Sequence, residues 1–259
     1  MIYVIKIGGN IIDNPDKLNG FLGHFAAIKG HKVLVHGGGK VADQIAKEMG
    51  VIQKMVNGRR ITDLATLDII TMVYAGLINK NIVADLNAKG AMAIGVCGVD
   101  ANLIIADKRP VADVDYGFVG DIKFVNGEIL MNWLGDGFCP VISPVTHDGL
   151  GQLLNTNADT IASSVALAIS KFSPVRLVYC FEKKGVLMDI NDEASVISIL
   201  DEKTTNDLKN QGLIHSGMLP KIENAIQTVK GGVDAVFIGH ADELDLLIEG
   251  KTGTKIISK

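Results

Sequence analysis

The stretch Ile2-Tyr3-Val4-Ile5-Lys6-Ile7, closed by Gly8-Gly9, decides the fold class. Apart from Lys6 it is β-branched or aromatic throughout and does not alternate with polar residues. A strand of that kind is buried on both faces, as in a parallel sheet. A helical pattern follows over residues 15–28, with Leu18, Leu22 and Phe25 on one face, and Gly30 closes it. The same unit then recurs. Lys32-Val33-Leu34-Val35-His36 reads as a second strand, Gly37-Gly38-Gly39 ends it, and a helix runs on to about Met49. Two strand–glycine–helix units in succession predict an α/β layered fold with right-handed crossovers.

Outward from this core, residues 54–60 read as a short hairpin or an extended excursion. Asp63 is placed to cap a long helix over 63–88, with Gly90 as its stop. Residues 91–96 and 139–143 read as buried strands, and 103–124 as strands and turns projecting from the main sheet. A short helix is expected over 127–134. Thr156 or Asn157 can cap another helix to about Ser170. Beyond Lys171-Phe172-Ser173-Pro174 come a strand over 175–180, an irregular stretch, and helices over 203–210 and 220–230. A strand over 235–238, a helix over 244–248 and a strand over 254–257 complete the pattern. The break at 171–174 is too short for a free linker, so residues 1–173 and 174–259 are expected to share one continuous sheet.

Composition narrows the functional classes. A chain of 259 residues that is 47% hydrophobic can bury a core without metal or disulfide staples. A net charge of −4 with no basic stripe argues against nucleic acid as a partner. Cys97, Cys139 and Cys180 are far apart and odd in number, which suits a reducing compartment. No signal-peptide pattern opens the chain, and no apolar run approaches the roughly 18 residues of a membrane span. A cytoplasmic location without membrane attachment is the expectation. The six histidines show no ligand spacing, and neither HExxH nor GxSxG occurs, so no metal site is assigned.

Five motifs carry chemistry. Lys6 lies in an apolar strand, where an unpaired ammonium is costly, so it should emerge beside an anion or carboxylate. Gly8 and Gly9 after it would let backbone N–H groups face a phosphate. The run His36-Gly37-Gly38-Gly39-Lys40 precedes a helix whose first turn has orphan N–H groups and a positive dipole end. It is neither GxGxxG nor a P-loop. His36 itself suits packing or hydrogen bonding. In Asn57-Gly58-Arg59-Arg60-Ile61-Thr62, one arginine offers a donor fork for a substrate carboxylate. In Leu154-Asn155-Thr156-Asn157-Ala158-Asp159, Asn157 and Asp159 cannot both be simple caps, so one is available to a ligand and the other can orient lysines. In Ser216-Gly217-Met218-Leu219-Pro220-Lys221, a cation at a helix start opposes the dipole until an anion binds. Two lysines, a glycine cradle and an organising aspartate suit phosphoryl transfer, provided the turns gather at the carboxyl ends of the strands.

In this order and spacing the motifs resemble the amino-acid kinase superfamily, and within it the acetylglutamate kinase family, over essentially the whole chain. The resemblance implies a three-layer αβα sandwich on a mainly parallel sheet. The N-terminal part (1–173) would bind the acylated glutamate and the C-terminal part (174–259) ATP. The implied reaction is ATP-dependent phosphorylation of the γ-carboxylate of N-acetyl-L-glutamate, giving an acylphosphate and ADP in arginine biosynthesis. The alternatives are N-succinyl-L-glutamate or another N-acyl-glutamate, a sister kinase, or a non-catalytic metabolite sensor. Carried over by position, Lys6, Asp159 and Lys221 are the catalytic set, with Asp159 orienting both lysines. Gly8, Gly9 and Gly38 would bind phosphoryl oxygens. Gly38, Gly39, Arg60, Asn155 and Asn157 would bind the acyl-amino acid. Mg²⁺ would sit chiefly among the ATP phosphates. Cys180-Phe181-Glu182-Lys183-Lys184-Gly185 departs from the pattern, lacking an aspartate and running one residue longer, which bears on the adenine and ribose contacts. Without the N-terminal helix of arginine-inhibited relatives, the resemblance implies a homodimer insensitive to arginine.

Overall fold

The computed structural model describes residues 1–56, 59–212, 214 and 218–258; Asn57 and Gly58 of the arginine motif and Ser216 and Gly217 of the second lysine motif lie outside them. The chain opens with β1 (Ile2–Ile7), a four-residue helix α1 (Gly9–Ile12), α2 (Pro15–Ala27), β2 (Lys32–His36) and α3 (Gly39–Glu48). Asn14 accepts a hydrogen bond from the Lys17 N–H at 3.0 Å and Pro15 fills the first helical position, which starts α2. A hairpin, β3 (Lys54–Val56) and β4 (Arg59–Ile61), leads to α4 (Leu64–Ile70), capped by Asp63 through the Thr66 N–H at 2.8 Å. This helix continues through a π-helical segment, Thr71–Ile78, into α5 (Asn79–Ala88).

Next come β5 (Ala93–Val96), β6 (Ile104–Lys108), β7 (Gly120–Val125), α6 (Gly127–Gly135), β8 (Cys139–Ile142), β9 (Val145–His147), β10 (Leu153–Asn155) and α7 (Ala158–Ser170). The remainder is β11 (Val175–Phe181), β12 (Ile199–Leu200), α8 (Glu202–Asn210), α9 (Leu219–Lys230), β13 (Ala235–His240), α10 (Leu244–Glu249) and β14 (Thr254–Ile256). The expected strand at 91–96 begins at Ala93, and α1, β9, β10, β12 and the π-helical turn are absent from the sequence reading.

An eight-stranded sheet runs in the order β12-β14-β13-β11-β1-β2-β8-β5, parallel except where β14 meets β13. Alternation along β1 and β11 divides the core. Val4, Val175, Leu177 and Tyr179 face α7 and α9, packing on Ile161, Val165, Ile222 and Ile226. Ile5, Ile7, Val178 and Cys180 face the other layer, with Phe21, Leu22 and Phe25 of α2 and Leu244 and Leu247 of α10. Both faces of the sheet are therefore covered, as expected of parallel strands. Residues 103–124 form β6 and β7, which join β9 and β10 in a separate four-stranded sheet beside the main one.

The helix Leu64–Ala88 spans 25 residues, and its most apolar 18-residue window has a mean hydropathy of 1.3. By length and composition it could cross a membrane, although Asp68, Lys80 and Asp85 interrupt its apolar residues. In the fold, Leu67, Ile69, Ile70, Val73, Ile78, Ile82 and Leu86 of this helix are core residues.

Candidate active site

The strand register places the chemistry. Lys6 is opposite Tyr179 in the β1–β11 pair, and its side chain emerges on the α7 side of the sheet. There its Nζ lies 2.6 Å from Asp159 Oδ1 in the first turn of α7, with both side chains mostly buried. The ammonium in the apolar strand thus has the carboxylate partner that burial demands. Asn157 caps α7: its Oδ1 accepts from the N–H groups of Asp159 and Thr160 at 2.8 and 3.1 Å. The ambiguity between the two caps is resolved. Asn157 holds the helix end, its amide nitrogen stays free of that bond, and Asp159 holds Lys6. Thr156 is buried and bonds Thr146 at 2.7 Å instead.

A cleft of about 810 Å³ opens at the carboxyl ends of the strands. Gly9, Gly38, Gly39, Arg60, Asn155, Asn157, Asp159 and Lys221 all line it. Gly8 stands just behind, where a side-chain carbon would come 3.9 Å from Lys6 Nζ. Every candidate residue of the sequence reading therefore falls in or against one cavity. Burial pushes the Lys221 ammonium below its ordinary value, Asp159 opposes that shift, and Lys6 adds to it. With Arg60 bound to Asp43, Lys6 and Lys221 outnumber their one carboxylate neighbour, Asp159, among the described residues, a balance of charge suited to an anion.

The hairpin settles which arginine is enclosed. Arg60 is 9% exposed and Arg59 is exposed, because alternate residues of β4 point opposite ways. Arg60 Nη1 bonds Asp43 and, at 2.5 Å, Gln53 Oε1, while Nη2 donates to the Gly39 carbonyl at 3.3 Å. Its Asp43 bond helps raise the guanidinium above its usual value against the burial that lowers it. Asn155 donates to Thr62 Oγ1 at 3.0 Å, which ties β10 to the start of α4.

Gly38 has φ +146°, and a side-chain carbon there would collide with Ile78 and crowd the Tyr74 ring. Only glycine fits that place and conformation. His36 is fully buried. Nδ1 bonds the Gly37 carbonyl at 2.8 Å and Nε2 meets the Asn79 amide at 3.1 Å, which itself donates to the Val141 carbonyl at 2.9 Å. A carbonyl only accepts, so Nδ1 carries the proton and Nε2 accepts. Burial lowers the imidazole to about 4, so it stays neutral and fixes the glycine turn, as its strand-end position implied.

Several cleft residues were missed. Tyr74 sits within an apolar helix where nothing marked it. Arg109 and Tyr116 came from the stretch of weakest periodicity; Arg109 lies over the Tyr116 ring and bonds Asp121 Oδ1 at 2.6 Å. Asn224 had a usable signal, being three residues after Lys221 on one helix face. It donates to the Tyr179 hydroxyl at 3.3 Å, and that hydroxyl donates to the Asp159 carbonyl at 3.1 Å. Phe181, noted only for departing from a pattern, has Lys221 Nζ 4.1 Å and Lys6 Nζ 5.4 Å from its ring centroid.

Residues 1–240 match the model of the Amino acid kinase family. The chain is 52% identical to an acetylglutamate kinase of Cytophaga hutchinsonii over 260 residues, covering 99% of this chain and 98% of that one. Among solved structures, smu.665 of Streptococcus mutans aligns with a TM-score of 0.78 at 28% identity, covering 99% and 98% of the two chains. The N-acetylglutamate synthase of Neisseria gonorrhoeae, solved with coenzyme A and N-acetyl-glutamate, aligns with a TM-score of 0.83 at 22% identity. It covers all of this chain and 59% of the synthase, and at that identity it speaks for the fold alone. The αβα architecture, the full-length family match and the identity to curated relatives agree: the chain belongs to the amino acid kinase family and, within it, to the acetylglutamate kinases.

Proposed function

We propose that this chain is a phosphotransferase that moves the γ-phosphoryl group of ATP to the γ-carboxylate of N-acetyl-L-glutamate, a step of arginine biosynthesis. The observation that carries the reading is the Lys6–Asp159 pair at 2.6 Å, set in the same cleft as Lys221, Arg60 and the glycine turns. Phosphoryl transfer asks the protein for alignment and charge neutralisation more than for covalent help. Lys6 neutralises the phosphoryl group in flight, and Lys221 acts on the leaving phosphate from the nucleotide side. Asp159 holds Lys6 and opposes the loss of charge that burial favours at Lys221. The attacking carboxylate is already ionised near neutral pH, so no general base is needed. The N–H groups of Gly8, Gly9 and Gly38 face phosphoryl oxygens. Arg60 takes the α-carboxylate, and Gly39, Asn155 and Asn157 border the acyl-amino acid.

The reading assigns residues 1–173 to the acyl-amino acid and 174–259 to ATP. Mg²⁺ takes one or two carboxylates plus phosphate oxygens and keeps several waters. The cleft's carboxylate, Asp159, is committed to Lys6, so this donor set fits a cation carried mainly by the ATP phosphates, where it would offset their charge. The enzyme works as a homodimer in the cytoplasm. In support of pairing, the helix Leu64–Ala88 leaves Leu64, Met72 and Leu77 exposed at 60%, 51% and 48%.

A second substrate reading has a specific observation behind it. Arg59 lines the cleft beside Arg60 with no carboxylate partner among the described residues, a guanidinium beyond the one an α-carboxylate uses, whereas Arg109, also in the lining, is held by Asp121. N-succinyl-L-glutamate would bring a further carboxylate. ADP release with Mg²⁺ and ATP, measured in parallel on N-acetyl- and N-succinyl-L-glutamate with hydroxylamine trapping of the acylphosphate, tests both. Trapped product with the acetyl substrate supports the first reading, and preference for the succinyl substrate replaces it with the second. No trapped product with either from folded protein removes both.

A further inference from the structure

The two lysines of the cleft share an aromatic neighbour. Phe181 is the last residue of β11 and is half-buried, and its ring centroid lies 4.1 Å from Lys221 Nζ and 5.4 Å from Lys6 Nζ. The ring is held from behind. It stacks on Tyr179 at 6.3 Å between centroids and 20° between planes. Tyr179 in turn is fixed by its hydroxyl, which donates to the Asp159 carbonyl and accepts from Asn224. One rigid stack therefore joins both ammonium groups to the helix that carries their shared carboxylate. Among the described residues Asp159 makes its direct ion pair with Lys6, so Lys221 is left with a partly buried charge and a like charge nearby. The negative face of an aromatic ring stabilises such a cation without removing a donor that a phosphate will need.

We propose that Phe181 is a positioning residue for phosphoryl transfer, its ring holding the Lys221 and Lys6 ammonium groups in place until phosphate arrives. Its kinetic consequence rests on the kinase reading above, whereas the contact between ring and lysines does not. Among the described residues, the charged groups facing Lys221 are Asp159 from α7 and Lys6 from β1. Burial pushes the Tyr179 phenol far up, so it stays neutral through the working range. Without the ring, Lys221 keeps its burial and its repulsion from Lys6, and its proton leaves at lower pH.

The test is Phe181→Leu beside Phe181→Tyr. In the leucine variant the alkaline limb of kcat should move down by about half to one pH unit. At neutral pH kcat should fall about three- to tenfold, with KM for both substrates within about twofold, since the ring acts through charge placement and not through substrate contact. Phe181→Tyr, which keeps the ring, should return both quantities to wild-type values. Lysine-selective NMR titration of the Lys221 ammonium in the same proteins should show the same downward shift with leucine and its reversal with tyrosine. Leucine protein that titrates and turns over like wild type overturns the proposal, as does a tyrosine variant as impaired as the leucine one. Should the leucine variant not fold, Phe181→Met keeps similar volume without the ring and is held to the same two results. If wild-type protein lacks kinase turnover altogether, the kinase reading fails, and the titration alone decides whether the ring governs the lysine.

Discussion

Lys6 and Asp159 come from distant parts of the chain, one from the first strand and one from a helix more than 150 residues later, and meet at 2.6 Å. Each is the other's condition for being buried, because removing either leaves a charge poorly compensated. Lys6→Met and Asp159→Asn should each lower kcat by about 10²–10³-fold, the scale of a lost electrostatic stabiliser. As a unit they should be non-additive, with the double variant close to the worse single one. Steady-state turnover of the four proteins checks this, and fully multiplicative losses would show that the two act independently.

Arg60 is expected to act on affinity. Arg60→Ala should raise KM for the acyl-amino acid by about 10–100-fold while KM for ATP stays within about twofold. Asp43→Asn tests the support of that arginine, since Asp43 bonds the same guanidinium. It should give a smaller rise in the same KM. An equal effect on both substrates would detach Arg60 from the carboxylate role.

Gly38→Ala should fail for a steric reason. The backbone at φ +146° and the Ile78 side chain both exclude a β-carbon. Strain and overpacking together should cost about 2–5 kcal/mol. Chemical denaturation should show it as a lower midpoint. Gly38→Ala combined with Ile78→Val should regain a part but not the whole, because relieving the collision leaves the backbone conformation unfavourable.

His36 supplies a pH dependence of stability. Its folded value, about 4, lies below the ordinary 6.5 of a free imidazole. Between those values the unfolded chain binds the proton and the folded one does not, so stability rises with pH across the window. The contribution is complete above about pH 6.5 and is lost as pH falls towards 4, with a total of the order of 3 kcal/mol. Urea midpoints measured from pH 7.5 to 4.5 should fall accordingly. His36→Asn should lower the starting stability and flatten that slope; an unchanged slope would place the acid sensitivity elsewhere.

How far the sequence could be read depended on the range of the physics involved. β1, β2 and β11 were legible because burial on both faces writes itself as an unbroken apolar run. The glycine turns were legible because they interrupt those runs at fixed places. The π-helical segment Thr71–Ile78 was not, since apolar residues fill it and no 3.6-residue stripe was there to be broken. The partner of Arg60 was hidden because Asp43 and Gln53 lie on other elements, and only the fold brings them together. Phe181 was read as a departure near the nucleotide, whereas its neighbours across the sheet turn out to be the two lysines. The bonds of Asn155 and Asn157 show the same limit. A cap is a local relation and was anticipated, but the link from Asn155 to Thr62 spans 93 positions.

The pairing of β1 with β11 has a consequence for how such a chain can change over time. Six residue pairs, from Ile2 with Val175 to Ile7 with Cys180, zip the beginning of the chain to its last third through the middle of the main sheet. A boundary there differs from a linker between independent modules, because severing it exposes a raw parallel edge on each piece. The segments on either side are therefore poor candidates for shuffling. A foreign C-terminal part could be grafted on only if it matched this zipper side chain by side chain, on both faces. New specificity is more readily acquired at the rim, where the hairpin β3–β4 and the four-stranded sheet contribute Arg59, Arg60, Arg109 and Tyr116 without entering the seam.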